Sequence, residues 1–314
     1  MENKKISKSY VTIGALIFVF LVELVVILWV LTHKGDDAVV SAAPVEATQR
    51  PHVMAPIQHA TPQPSPTEEK PDYSQTPTYF IENKDTLVEQ LTILSEDHEA
   101  ITVVLDNIDH FPKELLIAIL SNQEVMDYAL NFPYAYPNEQ EGGVLTEGEY
   151  AEGQIPHLLQ WDARWGYHMY ANKALGINGC GPTALSMVVI GLTGDIAQTP
   201  LKIAEYSSNH YHYEPEVGTK WTLMAEGAKR LGLEPEELPL CKKIILNRLK
   251  RNRPIIASMG YGHFTKDTHY IVLAGIHDDG KIIVHDPNSI ERSKPWDIDD
   301  FINQIRNLWS FKED

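Results

Sequence analysis

The feature that most constrains this chain is an apolar run close to its N-terminus, VTIGALIFVFLVELVVILWVL, over residues 11–31. A run of this length is sufficient to span a bilayer as a single helix. The lysines at positions 4–8 exceed the positive charge that follows the run, which favours a cytoplasmic N-terminus and a translocated remainder. The pattern predicts a cytoplasmic tail over residues 1–10 and a transmembrane anchor over residues 11–32. A cleaved signal peptide is the alternative, but the run is longer than the usual signal core.

The next segment, residues 33–78, predicts a disordered linker. It is rich in Pro, Thr, Gln and Ser and has few large apolar side chains and no periodic pattern. Such a segment cannot bury enough surface to fold, and its prolines keep it extended. The linker would hold the rest of the chain away from the membrane, for example within a cell wall.

Residues 79–154 predict a small helical extension that ends in an acidic, glycine-bearing loop. Apolar side chains recur at helical spacing, as in the stripe that begins at Leu87 and Leu91. Pro112 is suited to start one helix, and Pro133 is expected to stop another. The extension could pack on the following domain or act as a propeptide or substrate gate.

Composition excludes several classes of function. The formal net charge of the 314 residues is −17, and a surface this acidic repels phosphate backbones, so nucleic acid is not an expected partner. The chain has two cysteines, Cys180 and Cys241, which rules out a disulfide framework and a cysteine-rich zinc site. We expect neither a metal nor a cofactor.

Residues 155–314 predict a domain of the α+β class. Its first half has helical apolar spacing, and its second half contains the strand-like segments PIIASMG, HYIVLAGI and KIIVHDP. Helices followed by neighbouring strands favour a helical part that packs on an antiparallel sheet.

Cys180 lies where a helix is expected to begin. Pro182 fits the first turn of a helix, and Leu185 and Val188 begin an apolar stripe that follows it. The helix dipole and the free N–H groups of the first turn favour a thiolate at this position. A buried, inert cysteine is the alternative interpretation.

His269 and Asp286 are predicted to meet on one hairpin. His269 opens a strand, Asp286 ends the next, and a glycine-bearing turn lies between them. A turn near His277 pairs the two positions directly, whereas a turn near Gly280 offsets them by a few residues. In both cases a carboxylate can hold one ring nitrogen and leave the other for the thiol.

Two further residues complete the candidate site. Gln160 could donate its side-chain amide to an oxyanion, together with the backbone N–H of Cys180. Asn288 could orient His269 in place of Asp286, because an amide also accepts a hydrogen bond from imidazole.

Five motifs lie within residues 155–311: Gln160, Arg164-Trp165-Gly166, Gly179-Cys180-Gly181-Pro182-Thr183, His269-Tyr270 and Asp286-Pro287-Asn288. Their combination resembles the bacteriocin-processing type of cysteine peptidase, and more closely the stand-alone peptidase C-39-like domains of Gram-positive bacteria. The resemblance implies a papain-like fold with the site between a helical half and an antiparallel sheet. It implies Cys180 as nucleophile, His269 as base, Asp286 as the third member and Gln160 as oxyanion donor.

The sequence therefore predicts a membrane-anchored, extracytoplasmic cysteine peptidase that hydrolyses peptide bonds of a peptide or protein substrate through an acyl-thioester. Two alternatives remain open at this stage. One is an amidase that acts on cell-wall peptides, and the other is a catalytically inactive, surface-displayed peptide-binding domain.

Overall fold

The structure is a computed structural model that describes residues 71–146, 148–215 and 217–314, all within one compact unit. The predicted cytoplasmic tail, the transmembrane anchor and most of the linker fall within residues 1–70, outside the described residues. In the part of the chain that is described, no helix is long and apolar enough to cross a bilayer.

The extension contains four helices: α1 (Lys84–Ser95), α2 (Ala100–Asp106), α3 (Lys113–Ser121) and α4 (Met126–Ala135). Their apolar stripes converge on a core in which Leu91 and Phe111 have no solvent-accessible surface. Pro112 stands directly before α3 in the extended conformation of a cap residue, as predicted. The 3₁₀ turns Ile108–His110 and Gln123–Val125 precede α3 and α4, respectively.

The structure differs from the sequence predictions at two places, the start of the extension and the end of its helix α4. Ordered packing begins within the predicted linker, because Tyr73 is buried, stacks on Tyr134 and donates a hydrogen bond to the carbonyl of Leu130. Pro133 does not end α4, which continues to Ala135. The proline removes one backbone hydrogen bond, but its ring is buried in the core of the extension, and this burial offsets the loss.

Six further helices are described in the second part of the chain: α5 (Leu175–Asn178), α6 (Cys180–Thr193), α7 (Pro200–Asn209), α8 (Ala228–Arg230), α9 (Lys242–Leu249) and α10 (Ile298–Phe301). A π-helical turn, Leu223–Gly227, precedes α8, and a 3₁₀ turn, Ile302–Gln304, follows α10.

Ten strands are described: β1 (Met169–Tyr170), β2 (Lys173–Ala174), β3 (Tyr213–Glu214), β4 (Gly218–Thr219), β5 (Leu233–Glu237), β6 (Ile255–Met259), β7 (His269–Ile276), β8 (Ile282–His285), β9 (Pro295–Trp296) and β10 (Ile305–Glu313). Six of them form an antiparallel sheet in the order β5-β10-β6-β7-β8-β9, and β1 with β2 and β3 with β4 form two short hairpins. The predicted α+β class with an antiparallel sheet is confirmed.

Both faces of the six-stranded sheet are covered. Along β7, Tyr270 and Val272 pack into the core that contains α6, whereas Ile271 and Leu273 pack into a second core with Ile245 of α9. Side chains alternate between the two faces of a strand, so a strand buried on both faces has an unbroken apolar sequence. The sequence predicts one helical part against the sheet, and the layer formed by α9 is an addition to it.

The β7–β8 hairpin decides how the predicted His and Asp meet. Val272 is paired with His285, so His269 and Asp286 are offset along the hairpin rather than directly opposite. The tight turn uses Gly280, whose φ of 87° is readily adopted only by glycine. This is the second of the two registers that the sequence allows.

Candidate active site

Cys180 is the first residue of α6, and Gly179 is its N-cap. The helix forms as the sequence predicts, with Pro182 in its first turn and Gly194 ending it at a left-handed φ of 72°. The thiol is free and partly buried. The dipole of this 14-residue helix and the N–H groups of its first turn place a positive electrostatic potential at the sulfur.

The glycines on either side of Cys180 are required by packing. A β-carbon on Gly181 would lie 2.6 Å from Cγ2 of Thr219, and one on Gly179 would lie 2.4 Å from the carbonyl oxygen of Leu175. Neither position therefore has room for a side chain. Thr219 of β4 and Leu175 of α5 therefore pack directly against the start of α6, and this close packing fixes the position of the sulfur.

His269 connects the thiol to a carboxylate. Its Nε2 lies 2.7 Å from Oδ1 of Asp286, and Cys180 interacts with the same ring and helps to raise its pKa. The imidazole is 7% exposed. Burial by itself lowers the pKa of His269, but the Asp286 carboxylate and the hydrogen bonds outweigh burial and raise it to about 10. The geometry therefore favours an imidazolium beside the sulfur.

Asp286 is fully buried, and both of its carboxylate oxygens have partners. Oδ1 accepts hydrogen bonds from His269 and from the backbone N–H of Asn288 at 2.8 Å, and Oδ2 accepts one from Nε of Arg292 at 2.6 Å. The backbone N–H of Asp286 donates to Oγ of Ser293 at 2.8 Å. Burial opposes ionisation, but His269 and Arg292 outweigh it and lower the pKa of Asp286 to about 2. The carboxylate is therefore held ionised.

Two buried tyrosines, Tyr170 and Tyr270, interact electrostatically with Cys180. The hydroxyl of Tyr270 donates to the carbonyl of Thr219 at 2.9 Å, and the hydroxyl of Tyr170 lies 3.0 Å from Oγ1 of the same residue. Burial raises the pKa of Tyr170 to about 12, and the charge of Cys180 adds to this effect. Both hydroxyls therefore stay protonated, and their hydrogen bonds connect Thr219 of β4 to β1 and β7.

Gln160 is buried close to the segment that leads into Cys180. Its Nε2 donates to the carbonyl of Gly176 at 2.9 Å, and its backbone N–H donates to the carbonyl of Pro287 at 2.7 Å. Its Oε1 has no hydrogen-bond partner among the described residues. Gln160 thus bridges α5 to the residue after Asp286, and its role as an oxyanion donor stays a prediction.

Comparison with known proteins identifies the family of the second part of the chain. The sequence profile of the Peptidase_C39 like family matches residues 153–311, just over half of the chain. The chain belongs to the Peptidase_C39 like family. Among solved structures, the peptidase domain of Streptococcus ComA, a bi-functional ABC transporter involved in a quorum sensing pathway, is similar at 19% identity and a TM-score of 0.33. That similarity covers 44% of this chain and 93% of the ComA domain. No curated protein sequence matches the chain significantly.

The structure brings together Cys180, His269 and Asp286 of this C39-like domain. It gives other contacts to Asn288, the alternative to Asp286, and to Cys241, the second thiol. Asn288 contributes backbone groups: its N–H donates to Asp286, and its carbonyl accepts from Trp161 at 3.2 Å. Cys241 directly precedes α9 and is also a free thiol, so no disulfide blocks Cys180.

Tyr270 is part of a sequence motif but has no predicted role, and the sequence does not single out Arg292 or Tyr170. Arg292 sits in a short connection after Asp286 that has no periodic signal, so only the fold reveals its ion pair. Tyr270 reads as one more apolar residue of β7, and Tyr170 lies in a two-residue strand that no pattern predicts. The signals available for Tyr270 were its position next to His269 and its place in the His269-Tyr270 motif.

Proposed function

We propose that the protein is a cysteine peptidase that hydrolyses peptide bonds through an acyl-thioester, with Cys180 as nucleophile. The observation that carries this proposal is the arrangement of three residues: Cys180 at a helix N-terminus interacts with His269, and His269 is hydrogen-bonded to Asp286 at 2.7 Å. A Cys at a helix start beside a His and Asp on an antiparallel sheet is also the arrangement of papain-like peptidases. Membership of the C39-like family supports the peptidase class independently.

The geometry assigns one task to each nitrogen of His269. Because Nε2 is bonded to Asp286, Nδ1 is the nitrogen left for the sulfur. In acylation, the Cys180 thiolate attacks the carbonyl carbon, the C–N bond breaks, and the imidazolium gives its proton to the leaving amine. In deacylation, His269 takes a proton from water as the water attacks the thioester, and the C–S bond breaks to return the thiolate. Asp286 stays ionised and fixes the ring.

The tetrahedral intermediate needs hydrogen-bond donors at its oxyanion. The backbone N–H of Cys180 lies in the first turn of α6, where the helix itself does not use such groups. Nε2 of Gln160 uses one proton for Gly176, and its second proton is the other donor we propose. The substrate is accordingly a peptide or protein whose scissile carbonyl lies between these two groups.

For the location we rely on the sequence. The apolar run over residues 11–31 and the lysines before it support a single-pass membrane anchor with the peptidase domain outside the cytoplasm. A tethered peptidase of this kind would meet substrates near the membrane or in the cell wall.

The decisive experiment is the pH dependence of Cys180 alkylation by iodoacetamide, followed by mass spectrometry on the full-length chain in detergent. The variant Cys241→Ser removes the second thiol, and His269→Ala is the control. We expect fast alkylation far below the usual cysteine pKa of about 8.5, lost in the control. An ordinary thiol profile that His269→Ala leaves unchanged would contradict the proposal and leave a binding domain.

A further inference from the structure

The residues after Asp286 form a compact turn, residues 286–293, which we call the aspartate turn. It carries both groups that complete the Asp286 carboxylate: the backbone N–H of Asn288 on Oδ1 and the guanidinium of Arg292 on Oδ2. Inside the turn, Oγ of Ser289 accepts from the backbone N–H of Arg292 at 3.1 Å. The position of the carboxylate therefore depends on the conformation of this turn.

The helical extension holds the aspartate turn from outside. The carboxylate of Glu124 accepts hydrogen bonds from the backbone N–H groups of Ile290 at 2.7 Å and Glu291 at 2.8 Å, and from Oγ of Ser289 at 3.3 Å. Nδ2 of Asn122 donates to the carbonyl of Asn288. These contacts join residues more than 160 positions apart in the sequence.

The contacts of Asn122 and of Glu124 each act on a residue that is bonded to one oxygen of Asp286. Asn122 fixes the carbonyl of Asn288, whose N–H meets Oδ1, and Glu124 fixes the residues directly before Arg292, whose guanidinium meets Oδ2. The side chain of Asn122 also accepts from the backbone N–H of Glu124 at 3.1 Å, so the two residues act as one rigid element.

We propose that Glu124 is a positioning residue for the active site: by holding the aspartate turn, it sets the Asp286 carboxylate and through it the imidazolium of His269. This inference rests on the proposed function. Glu124 lies outside residues 153–311, the region that the family profile matches, so the working catalytic unit includes part of the extension. The extension is then a fixed component of the peptidase rather than a removable propeptide.

The test compares Glu124→Gln with Glu114→Gln in the full-length Cys241→Ser chain. Glu114 is the matched control, because it also links the extension to the following domain, through Lys173 at 2.9 Å, but does not contact the aspartate turn. Glutamine at position 124 keeps one acceptor oxygen and loses the other, together with the charge. Two measurements are made: deuterium uptake of a peptide that covers residues 287–293, and the pH profile of Cys180 alkylation.

We expect uptake over residues 287–293 to rise in Glu124→Gln and not in Glu114→Gln. We also expect Cys180 alkylation at about pH 6 to fall roughly threefold to tenfold in Glu124→Gln, which corresponds to a shift of about half to one pH unit. Glu114→Gln should stay within about twofold of the parent.

Unchanged uptake, or an alkylation profile that matches that of Glu114→Gln, would overturn the positioning role. Failure of the proposed function has a different signature, because the parent chain itself would then show an ordinary thiol profile identical to that of His269→Ala. A mere loss of stability would move both glutamate variants together and would also count against the inference.

Discussion

At the scale of single residues, Asp286 and Asn288 are two candidates for one task, and their contacts distinguish them. Asp286 offers a buried carboxylate 2.7 Å from the imidazole of His269, whereas Asn288 contributes its backbone. A charged partner stabilises an imidazolium far more than a distant amide does.

We therefore predict that Asp286→Ala slows alkylation of Cys180 at about pH 6 by at least about tenfold. The variant loses the carboxylate that raises the pKa of His269. Each pKa unit that is lost changes the protonation equilibrium of the imidazole by a factor of ten. Asn288→Ala should leave the rate within about twofold, because its backbone contacts remain. Iodoacetamide labelling of both variants checks this, and a larger loss in Asn288→Ala would assign the orienting role to the amide.

His269 also predicts how stability depends on pH. Its pKa is raised from 6.5 to about 10 in the folded chain, so the folded state binds the proton more tightly than the unfolded state. The stabilisation is fully present below about pH 6.5 and is lost as the pH rises through about 10. We predict that the free energy of unfolding of the parent exceeds that of His269→Gln at low pH and that this difference shrinks across this window.

Urea unfolding at several pH values within the window measures the difference. Titrating groups that do not interact with His269, such as lysines and exposed tyrosines, contribute equally to both chains and cancel. A difference that stays constant with pH would mean that His269 is not stabilised as an imidazolium.

At the scale of secondary-structure elements, the close contact between α6 and β4 sets the floor of the site. Gly181→Ala would place a β-carbon 2.6 Å from Thr219, whose hydroxyl and carbonyl hold Tyr170 and Tyr270. The extra methyl group must displace β4 from the helix, and overpacking of this kind costs about 1 to 3 kcal/mol.

We predict a loss of this size in the free energy of unfolding of Gly181→Ala, together with slower alkylation of Cys180. The control is Gly275→Ala in β7, where the nearest atom to the new β-carbon is 3.8 Å away, in ordinary contact. Equal effects of the two substitutions would show that the contact with Thr219 is not critical.

The elements that the sequence predicts well are those with a local signal. Helix α6 has a proline in its first turn, an apolar stripe and Gly194 at its end, and the β7–β8 hairpin has two apolar strands around a glycine turn. Local signals do not contain partners that are distant in sequence. The ion pair of Arg292, the burial of Tyr73 and the passage of α4 through Pro133 all depend on tertiary contacts, which a single sequence does not encode locally.

At the scale of the whole molecule, the extension and the peptidase domain share a hydrophobic core. Tyr128 of α4 stacks on Tyr167 with ring centroids 4.6 Å apart and donates a hydrogen bond to the carbonyl of Gly166. A β-carbon on Gly176 would lie 2.4 Å from the ring of Tyr128. Contact this close buries apolar surface from both parts at once, so neither part completes its core alone.

This sharing predicts that the two parts unfold together. Leu91 of α1 is fully buried in the core of the extension. Of the five described tryptophans, Trp161 packs against that core, whereas the four at positions 165, 221, 296 and 309 lie outside it and dominate the fluorescence of the second part. Leu91→Ala should cost about 2 to 5 kcal/mol of unfolding free energy. In a cooperative unit, the tryptophan fluorescence midpoint in urea should fall with the far-UV circular dichroism midpoint.

Ile93→Ala is the control on the same helix, because Ile93 is 64% exposed and its truncation leaves no cavity. A fluorescence midpoint that stays in place while the helical signal melts earlier would mean that the extension unfolds by itself. It could then not hold the aspartate turn under conditions in which the rest of the domain remains folded.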